Sequence, residues 1–148
     1  PILLVTPKDR VEETVTRLAR VGFDNSLGYL KGGMKTWRME GKSTANVNVI
    51  DSVVFKKLTK DEKLKVFDLR KSDEYSSGYI QNAQNIPLDF VKQKISSFRL
   101  KDNFYTHCAG GYRSMIAASI LKSKGIHNFK DIKGGFNALK KIGLEISI

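Results

Sequence analysis

The residues best placed to do chemistry lie between Asn103 and Gly125, in NFYTHCAGGYRSMIAASILKSKG, which holds the only cysteine, Cys108. Phe104-Tyr105-Thr106-His107 is apolar and short, as a buried strand is. Cys108-Ala109-Gly110-Gly111-Tyr112-Arg113 follows as a turn of six residues. Beyond it Met115, Ile116, Ala118, Ser119, Ile120 and Leu121 have helical spacing, and Lys122 and Lys124 precede Gly125 as at a helix end. A thiol is therefore expected between a strand and a helix N-terminus. Two glycines allow the backbone to curl around it, and Arg113 closes the loop. Backbone N–H groups, the helix dipole and Arg113 all favour an anion there, a thiolate included. The chemistry this suits is nucleophilic attack by sulfur.

Simpler readings stand beside that one. A lone cysteine is often an inert core residue, but a glycine-rich, arginine-closed setting is not an ordinary core. His107 suggests a Cys–His dyad, yet neighbours on a strand point to opposite faces, so a packed histidine is expected. His127 falls in a loop and is expected to be solvated. Asp68, at the end of another strand, either satisfies backbone groups or supports the cysteine loop from behind. Tyr112 either lines the pocket or leans outward. Gly32-Gly33 and Gly134-Gly135 resemble phosphate loops but fit no nucleotide fingerprint, and they read as turns.

The elements that must position these residues are legible in order. Residues 1–5 read as a strand and Arg10 to Val21 as a helix with Val11, Val15, Leu18 and Ala19 on one face, ended by Gly22. Leu27 to Leu30 reads as a short strand, followed by a short helix carrying Met34 and Trp37. Gly41 to Asn46 reads as a linker. A new unit starts with a strand at Val49-Ile50, and Asp51 or Ser52 caps a helix to about Leu58. Lys60 to Lys63 turn the chain, and Leu64 to Phe67 is a buried strand ending in Asp68-Leu69-Arg70. Ser72 and Tyr75 suggest a brief capped helix. Ala83 to Ile86 is a strand stopped by Pro87, and Leu88 to Phe98 is amphipathic through Leu88, Val91, Ile95 and Phe98. Phe129 to Ile132 is the last strand, followed by a helix to about Lys141. Alternating strands and helices imply a parallel sheet covered on both faces.

The two ends of the chain repeat each other. GFDNSLGYLKGG (Gly22 to Gly33) lines up with GIHNFKDIKGG (Gly125 to Gly135) with one residue of slippage, and Arg10 falls opposite Arg113. Where Cys108 stands the first copy has Val5 or Thr6. Residues 1–45 thus read as the second half of a similar domain without its thiol, expected to be catalytically silent. Residues 46–148 read as the complete domain.

The net charge of +11 arises mostly from lysines mixed with acids, spread along the chain. Neither an arginine-rich arm nor an aromatic ladder between basic clusters is present, so nucleic-acid binding is not expected. A solvated lysine-rich surface is the plain reading, and attraction of small anionic substrates the sharper one. No apolar run reaches membrane-spanning length. One cysteine excludes an internal disulfide and fits a reducing, cytoplasmic setting. With two distant histidines it makes a metal site unexpected, and no cofactor is implied. Pro1 is an unusual native start, no signal peptide is evident, and the chain reads as an excerpt of something longer.

FDLRKSDEYSSGYIQNAQNIPL (Phe67 to Leu88), HCAGGYRS and IKGGFNAL together resemble the rhodanese family of sulfurtransferases, over roughly Val47 to Ile146. The resemblance implies an α/β fold with a five-stranded parallel sheet flanked by helices, the cysteine loop lying at the carboxyl end of the central strand. It implies that Cys108 takes a sulfane sulfur from a small anionic donor such as thiosulfate or glutathione persulfide, becomes a persulfide, and yields the sulfur to a thiol or cyanide. The loop Ala109, Gly110, Gly111, Tyr112, Arg113 and Ser114 would bind the substrate, with Asp68 and Arg70 bracing the site. Gly78-Tyr79-Ile80-Gln81-Asn82-Ala83 departs from the family's Gly-His-Ile-Pro-Gly-Ala, and Leu139 replaces its closing tryptophan, which Trp37 supplies in the first copy. A silent half followed by a complete unit is similar to the C-terminal part of fusions in which a metallo-β-lactamase-fold persulfide dioxygenase precedes tandem rhodanese domains. That resemblance implies a further N-terminal domain carrying the metal.

Two other functions compete on the same residues. HCAGGYRS also resembles the protein tyrosine phosphatase signature, whose members place five residues between cysteine and arginine. Here there are four, a smaller loop suited to one sulfur atom. Arsenate reduction is a narrower variant of that reading. A module that only carries sulfur or docks a partner is the non-catalytic one.

Overall fold

The computed structural model describes residues 1–60 and 64–148, so most of the turn expected at Lys60 to Lys63 lies outside the described residues. The chain divides into two compact units, Pro1–Asn46 and Val47–Ile148.

In the first unit, β1 (Ile2–Leu4) leads through a 3₁₀ turn at Lys8–Arg10 into α1 (Val11–Ala19), then β2 (Ser26–Tyr29) and α2 (Gly33–Met39). β1 and β2 form a parallel pair. Gly22, at φ 83°, turns the chain out of α1, and the Phe23 N–H closes on the Leu18 carbonyl at 2.9 Å. That is the left-handed ending only glycine adopts without strain. Leu4 is the one buried hydrophobic residue of this unit.

The second unit begins with β3 (Val49–Ile50) and α3 (Ser52–Leu58). Asp51 is the cap, accepting the Val53 N–H at 2.9 Å. Then come β4 (Lys65–Asp68), α4 (Ser72–Ser76), β5 (Ala83–Asn85), β6 (Phe104–His107), α5 (Tyr112–Ser123), β7 (Phe129–Ile132) and α6 (Gly135–Lys141). The five strands are all parallel in the order β3-β7-β6-β4-β5, so β6 is central and the Cys108 loop leaves its carboxyl end. Open α/β sheets bind ligands at this edge.

Side-chain alternation along the strands sorts the core into two layers. Phe67, Phe104, Phe129 and Cys108 meet Ala117, Ala118 and Leu121 of α5 on one face. Val66, Tyr105 and Ile132 meet Phe55 of α3 and Phe136 and Leu139 of α6 on the other. Phe55, Phe104, Leu121 and Leu139 are fully buried, each contributing about 1.5–3 kcal/mol by burial.

The amphipathic spacing from Leu88 to Phe98 is realised as 3₁₀ turns at Leu88–Phe90 and Ile95–Phe98. Burying Val91 and Phe98 on the sheet needs only the spacing, and short turns keep it. The loop after Cys108 is shorter than the six residues expected. Gly111, at φ 109°, is the N-cap of α5, so Tyr112 and Arg113 already belong to the helix.

Candidate active site

Cys108 follows the last residue of β6 and is 2 % exposed. The Gly111 N–H donates to its sulfur at 3.1 Å, and the Ser114 hydroxyl oxygen lies 3.6 Å away. Ser114, fully buried in the first turn of α5, also reaches the Gly111 carbonyl at 3.1 Å. Burial pushes the Cys108 thiol up, but hydrogen bonds from the Ser114 amide and hydroxyl and from the Gly111 and Gly110 amides outweigh it. The thiol therefore ionises below its ordinary range, as a nucleophilic cysteine must.

The loop's carbonyls are turned the other way by α6. Its Phe136 N–H donates to the Cys108 carbonyl at 2.8 Å, and the Asn137 N–H to the Ala109 carbonyl at 3.0 Å. This needs α6 to start against the loop backbone. A Cβ on Gly135 would sit 2.3 Å from the Cys108 carbonyl oxygen, and φ there is +56°. The Gly134-Gly135 pair, read from sequence as a turn, is thus also the platform beneath the cysteine loop.

Arg113 does not point freely into the loop. Its two terminal nitrogens bind both oxygens of Glu74 on α4, at 2.5 and 2.8 Å. The Arg113 hydrogen bonds hold the Glu74 carboxyl down at about 2, against its partial burial, and the Lys71 N–H adds a further donor. Arg113 is in turn raised, first by Glu74 and in smaller part by the Cys108 sulfur nearby. The pair fastens α5 to α4 and keeps a positive charge beside the sulfur. Glu74 was not singled out in sequence. Its signal was its place three residues after the N-cap position of a short helix, where an acid reaches back to the backbone.

Behind the loop, Asp68 at the end of β4 is fully buried and Arg70 nearly so. Arg70 Nε bonds both carboxylate oxygens of Asp68, at 3.0 and 2.9 Å. Its terminal nitrogens reach the Gly78 carbonyl at 2.8 Å and the Glu74 carbonyl at 3.2 Å, and its guanidinium lies 3.7 Å from the centre of the Phe136 ring. Through Arg70, therefore, β4, α4 and the first turn of α6 are tied together. His107 is fully buried on the opposite face from the thiol, with Nδ1 3.3 Å from the Cys108 carbonyl. Its Nε2 is 3.6 Å from Asp68 Oδ2 and has no hydrogen-bond partner among the described residues. Burial holds the imidazole below its ordinary value, hence neutral, although the Asp68 charge pulls the other way.

The structure thus brings Cys108, Ala109, Gly110, Gly111 and Ser114 into one cradle, with Arg113 at its side and Asp68 and Arg70 beneath. Tyr112 leans outward, 88 % exposed, and His127 is exposed. Asp131 on β7 was also missed in sequence. It is buried and takes the Thr106 hydroxyl at 3.1 Å. Among the described residues no group of three or more His, Cys, Asp or Glu side chains is arranged to hold a metal ion. A cleft lined by Thr59, Leu64, Ile80 and Asn82 opens at the amino ends of β4 and β5, at the opposite edge of the sheet from the thiol. No described helix is long and apolar enough to cross a membrane.

Comparison with known proteins agrees with this geometry. Residues 52–142 match the model of the rhodanese-like domain. Over 89 residues the chain is 35 % identical to thiosulfate sulfurtransferase 16, chloroplastic, of Arabidopsis thaliana, spanning 52 % of this chain and 74 % of that protein. It is 34 % identical over 89 residues to YqhL of Bacillus subtilis, spanning 56 % and 71 %. A solved rhodanese-like domain protein of Staphylococcus aureus superposes with a TM-score of 0.60 at 32 % identity, over 69 % of this chain and all of that one. With a five-stranded parallel sheet, a cysteine loop at its centre and a match over most of the second unit, the chain belongs to the rhodanese-like domain family.

Proposed function

We propose that the chain is a sulfurtransferase that moves a sulfane sulfur from a small anionic donor to a thiophilic acceptor through a Cys108 persulfide. The observation that carries this reading is the Cys108 sulfur itself, buried at the carboxyl end of the central strand and receiving the Gly111 N–H at 3.1 Å. Relatives named as sulfurtransferases support a role of that general kind.

In the first step the Cys108 thiolate attacks the outer sulfur of the donor. The donor's S–S bond breaks, and its electron pair leaves with sulfite (from thiosulfate) or glutathione thiolate (from glutathione persulfide). Cys108 then carries a persulfide whose terminal sulfur is negative. The amides from Ala109 to Ser114 and the positive charge of Arg113 stabilise that sulfur as it forms. A thiol or cyanide next attacks the terminal sulfur, and the Cys–S electron pair returns to Cys108 as thiolate. Each half-reaction leaves with its own product, so the kinetics are ping-pong. Asp68 and Arg70 hold the surrounding elements in register without touching the sulfur. A phosphoryl group would need a wider loop and an arginine free to clamp its oxygens, whereas Arg113 is engaged by Glu74.

Intact mass measured after mixing with thiosulfate, and separately with glutathione persulfide, tests this reading. The expected result is a gain of one sulfur atom, absent in Cys108→Ser and lost on adding cyanide or a thiol. No gain with either donor overturns it.

A further inference from the structure

Arg113 is the only charged residue from Cys108 to Leu121. In the chain it stands between Gly111, whose N–H meets the Cys108 sulfur at 3.1 Å, and Ser114, whose hydroxyl oxygen lies 3.6 Å from it. A guanidinium at that place is a natural clamp for the oxygens of an incoming anion. Here the clamp is already closed. Both terminal nitrogens of Arg113 bind the Glu74 carboxylate, at 2.5 and 2.8 Å, in the two-point geometry that a substrate oxyanion would otherwise use. Glu74 comes from another element, α4, and the Lys71 N–H holds the same carboxylate at 3.1 Å. The two side chains are 29 % and 33 % exposed, so a molecule at the mouth of the loop can meet them.

Donors of sulfane sulfur differ in what they bring to that point. Cys108 is buried, so the outer sulfur of a donor enters the loop and the rest stays at the mouth. Thiosulfate puts sulfonate oxygens there and two negative charges, and both leave with sulfite once the S–S electron pair departs. An organic persulfide puts a carbon chain there, and its thiolate leaves with one. Paired with Glu74, Arg113 offers a sulfonate neither an open fork nor a net positive charge. Exposed Lys71 and Lys133, which follow β4 and β7, attract anions in general but carry no fork. Tyr112, Met115 and Ile116 lie one helical turn apart on α5 and are all exposed, an uncharged surface beside the loop for a carbon chain. We propose that Glu74 is a specificity-determining residue: by occupying the Arg113 fork, it turns the loop away from oxyanion-bearing donors such as thiosulfate and towards organic persulfides.

This inference rests on the transfer reading for its donors, but its central contact is testable without any transfer. Cys108 of the full chain is alkylated with iodoacetate and with iodoacetamide, of which only the first carries an oxyanion. Either rate, followed against pH, gives the midpoint of thiol ionisation, so their ratio cancels a change in that midpoint. In high salt, which screens the net charge of +11, the unaltered protein is expected to give the ratio of 2-mercaptoethanol. Glu74→Gln is expected to raise the ratio about tenfold, and adding Arg113→Gln abolishes the rise. An unmoved ratio in Glu74→Gln overturns the proposal. So does an equal rise with and without Arg113, since Glu74 would then act only as a bare charge. Should Glu74→Gln not fold, the unaltered protein decides: a ratio about tenfold above that of 2-mercaptoethanol shows Arg113 already holding oxyanions and overturns the proposal, whereas an equal ratio supports it. With donors, Glu74→Gln should shift the preference between thiosulfate and 2-hydroxyethyl persulfide towards thiosulfate by a similar factor, through KM rather than kcat. An unshifted preference overturns the proposal. Absence of sulfur uptake from both donors in the unaltered protein counts against the transfer reading instead, and the alkylation ratios then judge the Glu74 contact on their own.

Discussion

Glu74 accepts both arms of the Arg113 fork and the Lys71 N–H, which is why its carboxyl is held near 2 when its ordinary value is 4.5. A depressed carboxylate contributes stability that is fully present above the unfolded value and lost as pH falls through the folded one. The urea midpoint of the unaltered protein should therefore exceed that of Glu74→Gln at neutral pH, with the gap closing from about 4.5 down to about 2. A gap that persists at pH 2 would show that the pair acts by shape rather than charge. Asp68 makes a harder case because it is fully buried with Arg70. Asp68→Asn leaves the guanidinium without its counter-charge and should cost about 3–5 kcal/mol in denaturant unfolding. At this scale the sequence exposed the cysteine and its glycines, since an unusual local pattern marks them. It hid Glu74 and Asp131, because an acid on a short helix or mid-strand is recognised only by the group it meets across space.

Between elements, the cysteine loop is shaped by α6 as much as by its own residues. Gly135 holds φ +56°, and an added methyl would meet the Cys108 carbonyl oxygen at 2.3 Å. Gly135→Ala should destabilise the fold by at least the ~1–3 kcal/mol of a strained residue, and the loop should shift with it. Thermal unfolding reads the first effect. The second appears as slower sulfur uptake per folded molecule, which a purely global loss of stability would not produce. The strands and most helices were legible because apolar runs of four or five residues alternate with helical spacing and turn residues. The segment from Leu88 to Phe98 was less so. Its spacing of three and four fits an α-helix and a pair of 3₁₀ turns alike, and only the packing of Val91 and Phe98 on the sheet selects the turns.

For the whole molecule, the charge and the division into two units make separate predictions. A net charge of +11 should draw a dianionic donor toward the site over distances that salt screens, so KM for thiosulfate is expected to rise with ionic strength while kcat stays level. The division goes deeper. Both apolar layers of the second unit draw only on residues from Val47 onward, and they cover its sheet on both faces. In the first unit β1 and β2 pair parallel, and Gly32 is left-handed before α2 as Gly134 is before α6. Yet Leu4 is its only buried apolar residue, while Leu3, Val5, Phe23 and Leu27 are each more than half exposed. Burial on that scale falls far short of the entropy of ordering some forty residues, at about 1–2 kcal/mol each for the backbone alone. Residues 47–148 expressed alone should therefore unfold cooperatively and keep the Cys108 alkylation midpoint of the full chain, whereas 1–46 alone should show neither cooperative unfolding nor amide protection. A changed midpoint in 47–148 would overturn that expectation. Cooperative folding of 1–46 would mean that a two-stranded unit with so little buried apolar surface suffices as a domain.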